Sequence, residues 1–131
     1  MSSYVMDASA ILALLRNEPG KDVVLRALPG SIISAVNAAE VGARLADHGA
    51  HESRIPDYVS SAGLEIVAFD EEQAFASADL RNATRPFGLS LGDRACLALA
   101  RQRRLPVLTA DAAWAPLRVG VEIELIRRRA T

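Results

Sequence analysis

Short apolar runs alternate along this chain with longer amphipathic stretches, and that alternation restricts its fold more than any other feature. The runs cover residues 4–6, 31–35, 64–69, 106–109 and 121–126. Each is too short for a helix and reads as a strand. Between them the spacing predicts helices. In the first, Ala8, Ile11, Leu12 and Leu15 share one face before Pro19 and Gly20 stop it. Further helices are expected over residues 21–28, 37–49, 52–61 and 70–81. Ser90 opens the strongest one, Leu91–Arg103, with Leu91, Ala95, Ala98 and Leu99 facing inward. Pro86 and Gly88 mark residues 82–89 as a loop, and a short helical turn is expected over 112–117. Glu122 and Glu124 alternate with apolar residues, so the last strand reads as an edge. Strands that alternate with helices give an α/β chain: a three-layer αβα domain with a mainly parallel sheet of four or five strands.

A length of 131 residues predicts a single domain spanning residues 1–131. The formal net charge is −1, so bulk positive charge cannot hold a nucleic acid here. One cysteine, Cys96, excludes an intramolecular disulfide and a cysteine metal cluster. His48 and His51 are too few for a His-rich zinc site. The apolar stretch Ala8–Leu15 is far short of the ~20 residues of a membrane span and has no basic residue before it. These features together predict a cytoplasmic protein with no membrane partner.

In open α/β sheets, ligands bind beyond the carboxyl ends of the strands. Asp7 directly follows the first strand, Glu40 lies in the first turn of the helix expected after the second, and Asp111 lies just past the fourth. Asp93 opens the helix that begins at Ser90. That helix, roughly 20 Å long at 1.5 Å per residue, runs away from the carboxyl edge, and the fourth strand runs back to it. Asp93 and Asp111 therefore share one edge. Each carboxylate also has a simpler explanation. Asp7 and Asp111 could cap helices, Glu40 could pair with Arg44, and Asp93 could answer a helix dipole. Four carboxylates at one edge would repel one another, and a divalent cation relieves that repulsion. All-oxygen donors favour Mg²⁺ or Mn²⁺. Metal-assisted phosphodiester hydrolysis is the chemistry that such a site supplies.

Four stretches carry a family resemblance. They are Val5-Met6-Asp7-Ala8-Ser9-Ala10, Asn37-Ala38-Ala39-Glu40-Val41, Gly88-Leu89-Ser90-Leu91-Gly92-Asp93-Arg94-Ala95-Cys96-Leu97-Ala98 and Leu108-Thr109-Ala110-Asp111. Together they resemble the PIN-domain ribonucleases, and within them the VapC toxins of bacterial toxin–antitoxin pairs. The resemblance runs over nearly the whole chain. It implies a Mg²⁺-dependent endoribonuclease acting on RNA, with structured RNA such as tRNA as a substrate class. It also implies a homodimer and a cognate VapB-like antitoxin laid over the active site. The family's acidic set falls on Asp7, Glu40, Asp93 and Asp111, with Asp7 and Asp93 as metal ligands and Glu40 and Asp111 direct or through water. Ser9 and Thr109 match small hydroxyl positions beside the metal, with local backbone hydrogen bonding as the alternative.

Arg81 and Arg85 flank the segment before Asp93 and are candidate RNA-phosphate contacts, against the plain reading of solvated surface arginines. Arg94, Arg101 and Arg104 form a helix stripe expected to face solvent, and residues 127–129 form a basic tail. Trp114 and Cys96 read as core. Three rival functions fit these residues less well. A phospho-receiver could use Asp70, but its required lysine after the last strand is missing, since Lys21 is the only lysine. A haloacid-dehalogenase-like phosphatase needs a second aspartate where Ser9 stands. A non-catalytic PIN-type module binding RNA or protein would not require four carboxylates.

Overall fold

The computed structural model describes residues 3–128. Five strands, β1 (Val5–Met6), β2 (Ile32–Ser34), β3 (Glu65–Val67), β4 (Val107–Thr109) and β5 (Ile123–Leu125), form one sheet. Its order is β3-β2-β1-β4-β5, and every pairing is parallel. Parallel strands need crossovers, and helices supply them: α1 (Ala8–Leu15), α2 (Lys21–Ala27), α3 (Ala35–Asp47), α4 (Ile55–Ser60), α5 (Glu71–Asp79), α6 (Arg81–Thr84) and α7 (Leu91–Arg103).

The strand sequences explain the three layers. Neighbouring residues in a strand point to opposite faces. Val5, Ile32 and Val107 enter one core with Leu97, Leu99 and Trp114, while Met6, Ile33 and Leu108 enter the other with Ile11, Val24 and Val41. A strand buried on both faces must be apolar throughout, as these three are. The helices carrying Leu97 and Val41, α7 and α3, thus lie in different layers. β3 departs from this pattern because it is an edge: Glu65 and Ile66 are exposed. The chain order turns back at β1, from which one crossover leads to β2 and β4 lies on the other side. This switch point opens a crevice beyond the ends of β1 and β4.

Three sequence expectations need correction. Residues 82–89 are not a plain loop. Helix α6 and a 3₁₀ turn, Arg85–Phe87, occupy most of them, and Pro86 fits because an initial turn needs no amide donor there. Leu91 does not face inward; it is 51% exposed. Arg94 is half-buried rather than solvated, and its guanidinium donates to the Ser77 carbonyl. Of the basic tail, Arg127 donates to the Pro19 carbonyl, and Arg129 lies outside the described residues. No helix among the described residues is long and apolar enough to cross a membrane.

Candidate active site

A cavity of about 250 Å³ opens over the switch point. Asp7, Ala8, Ser9, Leu12, Glu40, Arg44, Asp93 and Asp111 line it. The topology therefore brings together all four carboxylates singled out from the sequence. Asp7 arrives at the end of β1, Glu40 in the second turn of α3, Asp93 in the first turn of α7, and Asp111 just after β4.

Asp7 is the buried member, at 5% exposure. It occupies the N-cap position of α1, yet its side chain makes no cap hydrogen bond. Instead Oδ2 accepts from the Ser9 hydroxyl at 2.6 Å and from the Thr109 hydroxyl at 2.8 Å. Burial pushes its carboxyl up to about 6. The two hydroxyl donors oppose that shift, and the charges of Asp93 and Glu40 add to it. The cap explanation for Asp7 thus fails. Ser9 and Thr109 serve in both of their expected ways. Besides contacting Asp7, Ser9 Oγ accepts from the Ala110 amide at 2.9 Å and Thr109 Oγ1 from the Asp111 amide at 3.1 Å.

The ordinary explanation for Glu40 fails as well. The ion pairs among the described residues are Arg16–Glu18, Arg54–Asp57 and Arg101–Asp79, with none between Glu40 and Arg44. Glu40 Oε1 accepts instead from Asn37 Nδ2 at 2.7 Å. Asp93 and Asp111 do act as caps. Asp93 Oδ2 accepts from the Ser90 amide at 2.9 Å while Ser90 Oγ accepts from the Asp93 amide, a reciprocal capping box. Asp111 Oδ1 accepts from the Ala113 amide at 3.0 Å. A carboxylate has two oxygens, so a cap on one leaves the other to face the cavity.

Sequence reasoning missed three residues here. Arg44 reads in sequence only as a partner for Glu40, yet it is exposed and lines the cavity. Asn37 is fully buried and also donates to the Gly92 carbonyl at 3.0 Å. Gly92 meets Glu40 so closely that an added Cβ would overlap the carboxylate. Arg81 and Arg85 are exposed but do not line the cavity. Trp114 is buried at 1% exposure, and Cys96 is fully buried with its thiol pushed well up, chiefly by burial. Neither is available to a substrate.

The donor set suits a hard cation: apart from the Arg44 guanidinium, the polar side chains of the lining offer carboxylate and hydroxyl oxygen, with no histidine or thiol. The upward shift of Asp7 comes chiefly from burial, with the charges of Asp93 and Glu40 adding to it, and a bound cation would oppose both. Among the described residues, however, no three His, Cys, Asp or Glu side chains form a ready-made metal cage. The carboxylates share a cavity rather than a closed coordination shell.

A family model described as the PIN domain matches residues 4–119. Ribonuclease VapC42 of Mycobacterium tuberculosis is 33% identical over 114 residues, which covers 79% of this chain and 87% of that protein. The fold is similar to that of DNA-bound VapBC from Salmonella typhimurium, with a TM-score of 0.73 and 18% identity over 97% of this chain and 100% of that one. It is also similar to VapBC-5, a toxin–antitoxin family member from Mycobacterium tuberculosis, with a TM-score of 0.61 and 25% identity over 98% of this chain and all of that one.

Proposed function

The chain belongs to the PIN-domain family, and from that premise we propose that it is an endoribonuclease toxin of the VapC type, dependent on Mg²⁺ or Mn²⁺ and restrained by a VapB-like antitoxin. One observation carries this reading: Asp7, Glu40, Asp93 and Asp111, scattered in sequence, line one cavity at the sheet's switch point. We assign the whole chain, residues 1–131, to a single PIN domain that acts on RNA in the cytoplasm, with structured RNA such as tRNA as its substrate class, and that pairs as a homodimer.

In this assignment Asp7 and Asp93 hold the cation directly, and Glu40 and Asp111 hold it directly or through water. When bound, the cation lowers the pKa of a water and offsets charge on the phosphate under attack. The protein's own residues do the rest. Ser9 and Thr109 fix the Asp7 carboxylate with two hydroxyl donors on Oδ2, which leaves Oδ1 free of them. Glu40 and Asp111 are placed to orient water or accept its proton. Arg44 at the mouth offers a cation to an RNA phosphate.

The test is cleavage of RNA by the purified protein in millimolar Mg²⁺. Cleavage should stop with excess chelator, and Asp7→Asn should lose about 10²-fold or more. Full activity in chelator, or in Asp7→Asn, sinks the reading. The absence of a closed cage and the caps made by Asp93 and Asp111 favour one alternative, a PIN module that binds RNA or protein without cutting it. Retention of RNA without cleavage in either metal would support that alternative.

A further inference from the structure

We propose that Asn37 is a positioning residue that clamps the Glu40 carboxylate against the start of α7, fixing Glu40 and Asp93 relative to each other. The proposal rests on reading the carboxylate cavity as a metal-dependent ribonuclease site. Its observations are independent of that reading.

Asn37 is fully buried in the first turn of α3. Its amide nitrogen donates to Glu40 Oε1 at 2.7 Å and to the Gly92 carbonyl at 3.0 Å. The amide orientation follows from chemistry. Reversed, Oδ1 would face a carboxylate and a carbonyl, neither of which can donate. With the nitrogen so placed, Oδ1 is buried without a partner. A buried acceptor left unpaired is unfavourable, and a residue serving packing alone would be apolar. What Asn37 contributes is its pair of donors, and these join α3 to α7.

Gly92 completes the clamp. A Cβ there would overlap the Glu40 carboxylate. Glu40 is therefore held between a donor on its own helix and the bare backbone of α7, directly beside Asp93. Glutamate has three side-chain torsions, and such a clamp removes the rotamers that would swing the carboxylate away from the cavity.

The deciding variant is Asn37→Leu, which keeps the branched skeleton in a somewhat larger side chain, removes the donors and also removes the unpaired oxygen. Three readouts apply to the full chain: kcat and KM for RNA cleavage in Mg²⁺, Mn²⁺ affinity by calorimetry, and the melting temperature of the metal-free protein. Asn37→Leu should lower kcat by about 10-fold or more with little change in KM, and weaken Mn²⁺ by a similar factor, the scale seen when a support behind a metal ligand is lost. Metal-free melting should be unchanged or higher. In a Glu40→Gln background the added loss should shrink to less than about 2-fold, because the side chain that the clamp positions is then no longer a carboxylate. Gly92→Ala keeps both donors and should reproduce the kcat loss by pushing Glu40, which covers the case in which Asn37→Leu does not fold. Losses that multiply with Glu40→Gln, or an Asn37→Leu protein that melts early yet cleaves and binds Mn²⁺ normally, would overturn the proposal. A wild-type protein that cleaves no RNA would sink the ribonuclease reading alone, and the clamp would stand or fall on the Mn²⁺ coupling.

Discussion

Asp7 sits where a helix cap belongs and turns its carboxylate away from the helix. Burial holds that carboxyl at about 6, above its ordinary 3.8. Between these two values the folded protein binds more protons than the unfolded chain. The contribution of Asp7 to stability is therefore most favourable at low pH. It is lost as pH rises from about 4 to about 6, and it is level above that. The full swing is about 3 kcal/mol, since one pKa unit corresponds to about 1.4 kcal/mol. Asp7→Asn removes the titration while keeping an oxygen for Ser9 and Thr109. In chelator, chemical denaturation of both proteins at several pH values should give similar stability near pH 4. By pH 7 the variant should be more stable by up to about 3 kcal/mol. A variant that is weaker than wild type at pH 7 would mean that Asp7 is an ordinary structural carboxylate.

Among the elements, α7 was the most legible in sequence and shows why others were less so. Ser90 as cap, Asp93 three residues on, and helical apolar spacing all point to one start, and the helix spans Leu91–Arg103 as read. The segment before it misled because Pro86 and Gly88 are turn residues, and short helical turns use the same residues. Asp7, Asp93 and Asp111 were legible because each is tied to a strand end or a helix start, which are local signals, and Glu40 because it lies early in the helix that follows β2. Asn37 and Gly92 were not. An asparagine early in a helix looks like a cap and a glycine within one looks like a weak point. Their roles arise only when α3 docks on α7, which sequence spacing does not reveal. The capping box also separates two effects at Asp93. Ser90→Ala removes one cap bond and should lower stability by about 1 kcal/mol, a shift of a few degrees in melting temperature, while cleavage well below melting stays within several-fold. Asp93→Asn keeps an acceptor for the Ser90 amide, so it should melt near wild type and lose about 10²-fold in cleavage. Early melting with normal cleavage for Asp93→Asn would reduce Asp93 to a cap.

The whole molecule is close to neutral at −1, yet it concentrates four carboxylates in one cavity of about 250 Å³. On the proposed reading, this local excess would make a divalent cation a stability ligand as well as a catalytic one. A cation that binds the folded site and not the unfolded chain stabilises by mass action, about 2.7 kcal/mol at 100 times its Kd. For a chain of this size, that corresponds to a melting shift on the order of 10 °C. Mg²⁺ at pH 7 should therefore raise the melting temperature well beyond what NaCl of equal ionic strength achieves, since screening alone acts weakly on a buried carboxylate. The shift should shrink at pH 5. Asp7, held at about 6, is then mostly protonated, and the cation must displace that proton to bind. Asp7→Asn should lose most of the Mg²⁺ shift at pH 7 and all of its pH dependence. Three outcomes would count against the site: an equal rise with NaCl, an equal rise in Asp7→Asn, or a larger rise at pH 5 than at pH 7. Any of these would place the stabilising cation elsewhere on the molecule and remove the physical reason for gathering four carboxylates at the switch point.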